Sequence, residues 1–333
     1  MREPTPPCRS VPSPDPRPVL ATHGGTFHLD DTFAYAVLRF ALGLGAGPGE
    51  DHALVRTRDE AAIAGADVVW DVGTTYDPEA GRFDHHQRGA PVREDGTPFS
   101  AAGLVWRRYG EAAVRALLEP GHTDLARAVA AAVEREVVRR IDEIDNGVGE
   151  PGDALGLSAA VEDLNPAWDS PAAGDRAAED AAFVRAAGLV EAFLRRRAEA
   201  VRARLAANGE VVAAHARSPD PRVLELGRKM PWEETVHARG LPVLYAVYPV
   251  PNGNWMVDAM PTEPGGFAQR LPLPEVWAGL RGAELARVCG APDAVFVHLG
   301  RFVGAARSRE GALAMARRAI EIGAAVSAAK TLP

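Results

Sequence analysis

Cysteine is nearly absent from this chain, with only Cys8 and Cys289 among its 333 residues. Two thiols cannot build a disulfide framework, and they point to a reducing cytoplasm. Lysine is equally scarce: Lys229 and Lys330 are the only two, so arginine carries almost all the positive charge. No apolar run approaches the roughly 20 residues that a membrane helix needs, so no membrane partner is expected. The formal net charge of −8 excludes a protein that coats long nucleic acid by bulk attraction. It leaves room for a local arginine groove on a short or single-stranded substrate. Residues 1–16 are rich in proline and have no apolar stretch of the secretory kind, so they read as a disordered tail. There is no internal repeat and no His-Glu-x-x-His helix motif.

What is present is a chain long enough for two domains at about 150 residues each. Short apolar segments at Pro18–Thr22, Ala53–Thr57 and Val68–Asp71 alternate with helical patterns at Asp31–Leu44, Glu60–Ala64, Ser100–Leu118 and Asp124–Ile144. That alternation predicts an α/β domain over 17–165, a mostly parallel sheet flanked by helices. A helix from about Ala177 to Ala207, ended by Asn208-Gly209, predicts a connector within 166–208. Strand-like segments follow at Val211–Ala213, Val223–Leu226, Val243–Tyr248, Trp255–Ala259 and Val295–His298, then a helix from about Glu310 to Ile322. They predict a smaller C-terminal α/β domain, 209–333, across a cleft from the first.

Histidine and aspartate gather just after the apolar segments. His23, His28 and Asp30 lie in and after a Gly-rich loop, where they can point inward together. Asp31 alone reads as a carboxylate at a helix start, complementing the dipole. Asp71 ends a buried strand, a central position for a carboxylate that bridges two cations. Asp84-His85-His86 places two imidazoles behind a carboxylate that orients ligands. In an extended segment adjacent side chains face opposite sides, so only one of the pair ligates. Val129, Val133, Val137, Ile141 and Asp145 recur every four residues, so Asp145 continues an inward apolar row and needs a cation for a partner. Asp142 is a weaker candidate, equally a charge on the outer half of the last helical turn. In parallel sheets ligands bind beyond the carboxyl ends of the strands, which brings His23, Asp71 and His85 to one edge. The pattern predicts a His/carboxylate metal cluster that hydrolyses a phosphate ester.

These segments resemble the DHH phosphoesterase superfamily and, within it, the melanocyte-proliferating-gene (MYG1-like) family. The resemblance runs through Thr22–Asp31, Asp71-Val72-Gly73, Phe83–Gln87, Ser100–Trp106, Ile141–Gly147, Leu164–Trp168, Pro231-Trp232, Trp277–Arg281 and Phe296–Gly304. It implies two divalent cations, one on His23, His28 and Asp71 and the other on Asp30, Asp71, His85 and Asp145. Mixed imidazole and carboxylate ligands suit Mn²⁺ best, with Zn²⁺, Co²⁺ or Mg²⁺ as alternatives. By the same resemblance Asp71 and His86 are the catalytic pair, with His86 contacting phosphate or donating a proton. Asp84 supports the ligands from behind. In the C-terminal half His298, Arg301, Arg307 and Arg309 are the candidate substrate contacts, the arginines at a helix start. The family's Gly-Gly turn stands here as Gly304-Ala305. The implied activity is 3′–5′ exonuclease action on RNA or short oligonucleotides by metal-activated water. Alternatives are a hydrolase of small phosphates such as pyrophosphate or a cyclic dinucleotide, a metal-dependent protein hydrolase, and a non-catalytic metal-binding module.

Overall fold

The computed structural model describes residues 17–45, 47–150 and 152–330. The proline-rich tail, 1–16, lies outside the described residues. The chain divides into two compact units between Arg202 and Ala203, inside a long helix.

The first unit runs β1 (Val19–Thr22), α1 (Leu29–Leu42), β2 (Ala53–Arg56), α2 (Glu60–Ala64), β3 (Val68–Trp70), β4 (Tyr76–Asp77), β5 (Arg82–Phe83), α3 (Ala101–Leu117), α4 (Ala126–Val133), α5 (Arg139–Asp145) and α6 (Leu157–Glu162). Its sheet has the order β2-β1-β3-β5-β4, parallel except for the edge strand β4. Leu20, Val69, Trp70 and Phe83 are fully or nearly fully buried, as expected of strands covered on both faces. Helix α1 stops at Gly43, whose φ of 68° is the left-handed cap conformation that glycine adopts without strain. It packs on α3, with Phe33 against Trp106.

The single helix expected over Asp124–Ile144 is composite. A 3-10 segment (Pro120–Leu125) leads into α4, a π turn (Glu134–Val138) follows, and α5 completes it before Asn146-Gly147. The wide turn helps bury both Val137 and Val138.

Helix α7 (Arg176–Arg217) passes straight through Asn208-Gly209, where the sequence pattern predicts a stop. Val211–Ala213 is therefore helical, not a strand. A glycine inside a helix costs about 1 kcal/mol. Val211, fully buried against Leu224 and Val236, offsets that cost, and the Asn208 side chain accepts a hydrogen bond from Thr235 Oγ1 at 2.6 Å.

The second unit contains β6 (Val223–Glu225), α8 (Glu233–Ala238), β7 (Tyr245–Pro249), β8 (Trp255–Ala259), α9 (Gly282–Cys289), β9 (Ala294–Val297), β10 (Val303–Ala306) and α10 (Arg309–Lys330). Its sheet order is β6-β7-β8-β10-β9, and only β6 and β7 pair in parallel. Strand alternation splits the core. Tyr245 and Val247 join Trp277, Leu285 and Met315 on one face, while Ala246 and Tyr248 join Val211 and Trp232 on the other. The turn expected at Gly304-Ala305 is instead strand β10, and the chain reverses at His298–Phe302, where Arg301 has φ 60°. A Cβ on Gly304 would stand 3.1 Å from the Phe296 carbonyl oxygen, so glycine fits there, and after Val303 the strand carries only Gly and Ala, which give little β signal. The fold class, α/β with helices flanking both sheets, agrees with the sequence.

Candidate metal centre

Strands β1, β3 and β5 run parallel, so the loops after them share one edge of the first sheet. Those loops carry His23, Asp71 and Asp84–His86. The start of α1 adds Asp30 and Asp31, and the end of α5 adds Asp145. The His23–His28 loop is fixed from two sides. Gly24 lies against the end of β2, where a Cβ would be 3.3 Å from the Arg56 carbonyl oxygen. The Asn165 amide pairs with both backbone groups of Phe27, accepting from its N–H at 3.0 Å and donating to its carbonyl at 2.9 Å. Asn165, in the Leu164–Trp168 motif, thus holds the residue before His28.

Asp71 is the centre of the cluster. Its φ of 56° places a non-glycine residue in the left-handed region, a strain of the order of 1–2 kcal/mol that concentrates at functional sites. Its Oδ2 is 3.2 Å from His23 Nε2 and its Oδ1 is 3.2 Å from His85 Nε2, one oxygen for each imidazole. His23 Nε2 also lies 2.9 Å from Asp31 Oδ2, and His85 Nε2 lies 3.6 Å from Asp145 Oδ2. Three overlapping donor groups result, each with ligand atoms within 4.8 Å of one another: His23, Asp31 and Asp71; Asp71, His85 and His86; Asp30, His85 and Asp145.

The electrostatics show what the cluster lacks. Burial opposes a charge on His23, yet Asp31 and Asp71 outweigh it and raise the imidazole to about 10. Burial likewise opposes the charge on His85, but Asp71 and Asp145 raise it. Burial pushes Asp71 up, and the two imidazoles overrule it and hold the carboxyl far below its ordinary range. Asp30 goes the other way: burial first, then the charges of Asp71, Asp145 and Asp31, lift it well above the ordinary value. Burial and Asp71 also raise Asp145. Four carboxylates converge on two imidazoles, so positive charge is in short supply. Both oxygens of Asp30 are buried without a hydrogen-bond partner, at a residue only 1% exposed. A buried carboxylate without a partner costs several kcal/mol unless it is neutralised. The donor set, all oxygen and imidazole nitrogen, fits divalent cations such as Mn²⁺.

The structure brings His23, Asp30, Asp71, His85 and Asp145 together, and it revises four other roles. His28 is exposed and in none of the three donor groups. Its ring stands 6.4 Å from that of His23 and lines the same cavity of about 660 Å³. Asp31 does cap α1, accepting from the His28 N–H at 3.1 Å, but its other oxygen faces His23. The sequence signal for that second role was its place beside Asp30, which the cap explained fully. Asp84 accepts from the backbone N–H groups of His85 and His86, and at 2.7 Å from His86 Nδ1, so the ring it orients is His86 and not His85. His86, with a side chain 57% exposed, borders the cavity. Asp142 is neither a ligand nor an outer-face charge. It is 0% exposed and accepts from Ser100 N–H at 3.0 Å, Ser100 Oγ at 2.7 Å and Arg93 Nε at 3.0 Å. Gly103 makes room for it, since a Cβ there would sit 2.4 Å from either oxygen.

In the second unit the arginines of the β10–α10 corner differ in their contacts. Arg309 forms a two-pronged pair with Glu225 at 2.6 and 2.7 Å. The start of α10, where a phosphate was expected, already has the Asp293 carboxylate accepting from Ser308 N–H at 2.7 Å. Arg307 is exposed, its N–H donating to the Asp293 carbonyl at 3.0 Å. His298 Nδ1 accepts from Gly300 N–H at 2.9 Å, and its ring packs 4.6 Å from Phe302. The Arg301 carbonyl accepts from Leu273 N–H at 2.9 Å.

Comparison with known proteins gives the chain its relatives. The model of an uncharacterised protein family (UPF0160), the MYG1 exonuclease family, matches residues 19–320. The chain is 36% identical to the MYG1 exonuclease of Homo sapiens, over 94% of this chain and 88% of the human protein. It is also 36% identical to that of Mus musculus, over 90% and 84%. The MYG1 protein YER156C of Saccharomyces cerevisiae shares 26% identity over 90% of this chain and 95% of its own. No solved structure matches the chain. With the family model spanning both units, the chain belongs to the MYG1 exonuclease family.

Proposed function

We propose that this protein is a metal-dependent phosphodiester hydrolase of the DHH phosphoesterase type, a 3′–5′ exonuclease on RNA or short oligonucleotides. The observation that carries the proposal is the arrangement around Asp71. One carboxylate gives one oxygen to each of two imidazoles, beside an Asp30 whose own oxygens have no partner. The names of the human and mouse relatives support action on nucleic-acid ends. The cysteine usage supports a cytoplasmic setting.

Two divalent cations, Mn²⁺ the best match, would be held by His23, Asp31 and Asp71 on one side and Asp30, Asp71, His85 and Asp145 on the other. When bound, such cations lower the pKa of water and neutralise charge on the phosphate. Everything else falls to the protein. Asp71 bridges the two halves, and its left-handed backbone fixes the carboxylate between the imidazoles. Asp84 takes His86 Nδ1 and leaves the other ring nitrogen for a phosphate oxygen or the leaving group. The ligands are preorganised, so little reorganisation accompanies the reaction.

End-labelled RNA incubated with the protein and Mn²⁺ should shorten one nucleotide at a time from its 3′ end. EDTA should stop the reaction, and Asp71→Asn or His85→Ala should remove it while circular dichroism is unchanged. Failure of the wild type to cleave RNA, DNA or dinucleotides with Mn²⁺, Zn²⁺, Co²⁺ and Mg²⁺ alike would sink the proposal.

A further inference from the structure

Two cavities meet at the metal centre. One, of about 660 Å³, contains His23, His85 and Asp145 in its wall. The other, of about 650 Å³, leads away past Ile63, Val72 and Thr74. Three residues belong to both: Asp71, His86 and Arg58.

Arg58 differs from its neighbour Arg56 in what it touches. Arg56 is buried; it donates to the Gly25 carbonyl, pairs with Asp180 at 3.3 Å and lies over the rings of Phe27 and Phe183. Arg58 is exposed and has no ion pair or hydrogen bond to its guanidinium among the described residues. Arg82, also in the second cavity, is tied to the Ala66 carbonyl at 2.9 Å. The backbone around Arg58 is nonetheless anchored. Thr57 N–H donates to the carbonyl of Thr22, the residue before His23, at 2.7 Å. Asp59 caps α2 by accepting from Ala62 N–H at 2.9 Å. A guanidinium free of partners is thus held by a fixed loop at the mouth of a strongly acidic cluster. Its planar fork matches a phosphate in two-pronged geometry.

We infer that Arg58 binds the phosphate next to the scissile one, and that the 650 Å³ cavity receives the nucleotide on that side. This rests on the hydrolase assignment above and adds a subsite to it. The scissile phosphate belongs over the cluster, where bound cations meet its charge. Arg58, at the junction with a cavity leading away, meets the following charge. The cavity lies within the size range of small-molecule sites, and the side chains of Ile63 and Val72 give it apolar wall for a sugar and base.

The test uses two fluorescently labelled trinucleotides in Mn²⁺. In one, both linkages are natural. In the other, the linkage 5′ to the scissile one is an uncharged methylphosphonate. Wild type should bind the natural molecule roughly tenfold more tightly by fluorescence anisotropy, the range of one charge-assisted contact. The same ratio should appear in kcat/KM. Arg58→Ala should bind both equally, and Arg58→Lys should restore part of the difference. If Arg58→Ala still discriminates between the two, or wild type does not, the subsite is wrong, whether or not cleavage is seen. Discrimination in binding by wild type that Arg58→Ala abolishes, with no cleavage of either molecule, would leave the subsite standing and overturn the hydrolase assignment instead.

Discussion

Asp30 gives the sharpest perturbation. Its carboxyl is buried, its oxygens lack hydrogen bonds, and its neighbours Asp31, Asp71 and Asp145 are all acceptors. In Asp30→Asn the shape is nearly unchanged, the charge is gone, and the new amide N–H groups have carboxylates to donate to. Relieving one buried, unpartnered group is worth about 1–3 kcal/mol. In EDTA the variant should therefore melt higher than wild type, by a few degrees at roughly 2 °C per kcal/mol for a chain of this size. Mn²⁺ reverses the order. A ligand at 100 times its dissociation constant stabilises the native state by about 2.7 kcal/mol, and the variant lacks a ligating charge. Wild type should gain several degrees on adding Mn²⁺, while Asp30→Asn gains little. Differential scanning calorimetry with and without metal reads both signs. A variant that is less stable than wild type in EDTA, yet gains as much from Mn²⁺, would refute the reasoning, because Asp30 would then be an ordinary partnered residue.

The same geometry governs three other perturbations. His23 titrates near 10 in the folded protein against an ordinary 6.5, so its pairs with Asp31 and Asp71 contribute fully below pH 6.5 and are lost as pH rises through about 10. The metal-free melting temperature should fall across that window while Mn²⁺ affinity rises, because metal binding displaces the proton; a flat metal-free curve would contradict this. Asp142→Ala should destabilise by about 3 kcal/mol in urea, since it strips a buried partner from Arg93 and Ser100, and leave Mn²⁺ affinity unchanged, whereas Asp145→Ala should do the reverse. Asp71→Asn should fold like wild type without activity, because asparagine accepts the left-handed backbone, while Asp71→Val should lose a further ~1–2 kcal/mol of stability by thermal unfolding.

The first unit was more legible in the sequence than the second, for physical reasons. Buried parallel strands are continuous apolar runs, so the carboxylate or imidazole that follows each one stands out. Asp71 and His23 were visible on that ground. Asp145 was visible because the four-residue row from Val129 points at it. Asp142 hid because the same helix buries the adjacent row through Val138, and its partners Ser100 and Arg93 lie more than forty residues away. Asp31 hid behind a cap that is real. Beyond Asn208, local signals failed where tertiary packing overruled them: Val211 buries through a Gly-containing helix, and Gly304–Ala306, with little β signal of its own, pairs as a strand between β8 and β9. Arg58 could not be told from the other arginines without knowing that its neighbour Arg56 is enclosed while Arg58 itself is exposed.

The central claim is that the cluster around Asp71 holds a pair of divalent cations. Crystals soaked in Mn²⁺ and measured at the manganese absorption edge test it most directly. Two anomalous peaks should appear in contact with Asp71, one shared with His23 and Asp31 and the other with Asp30, His85 and Asp145, and both should vanish in Asp71→Asn. No peak at Asp71, or peaks that persist in the variant, would contradict the account.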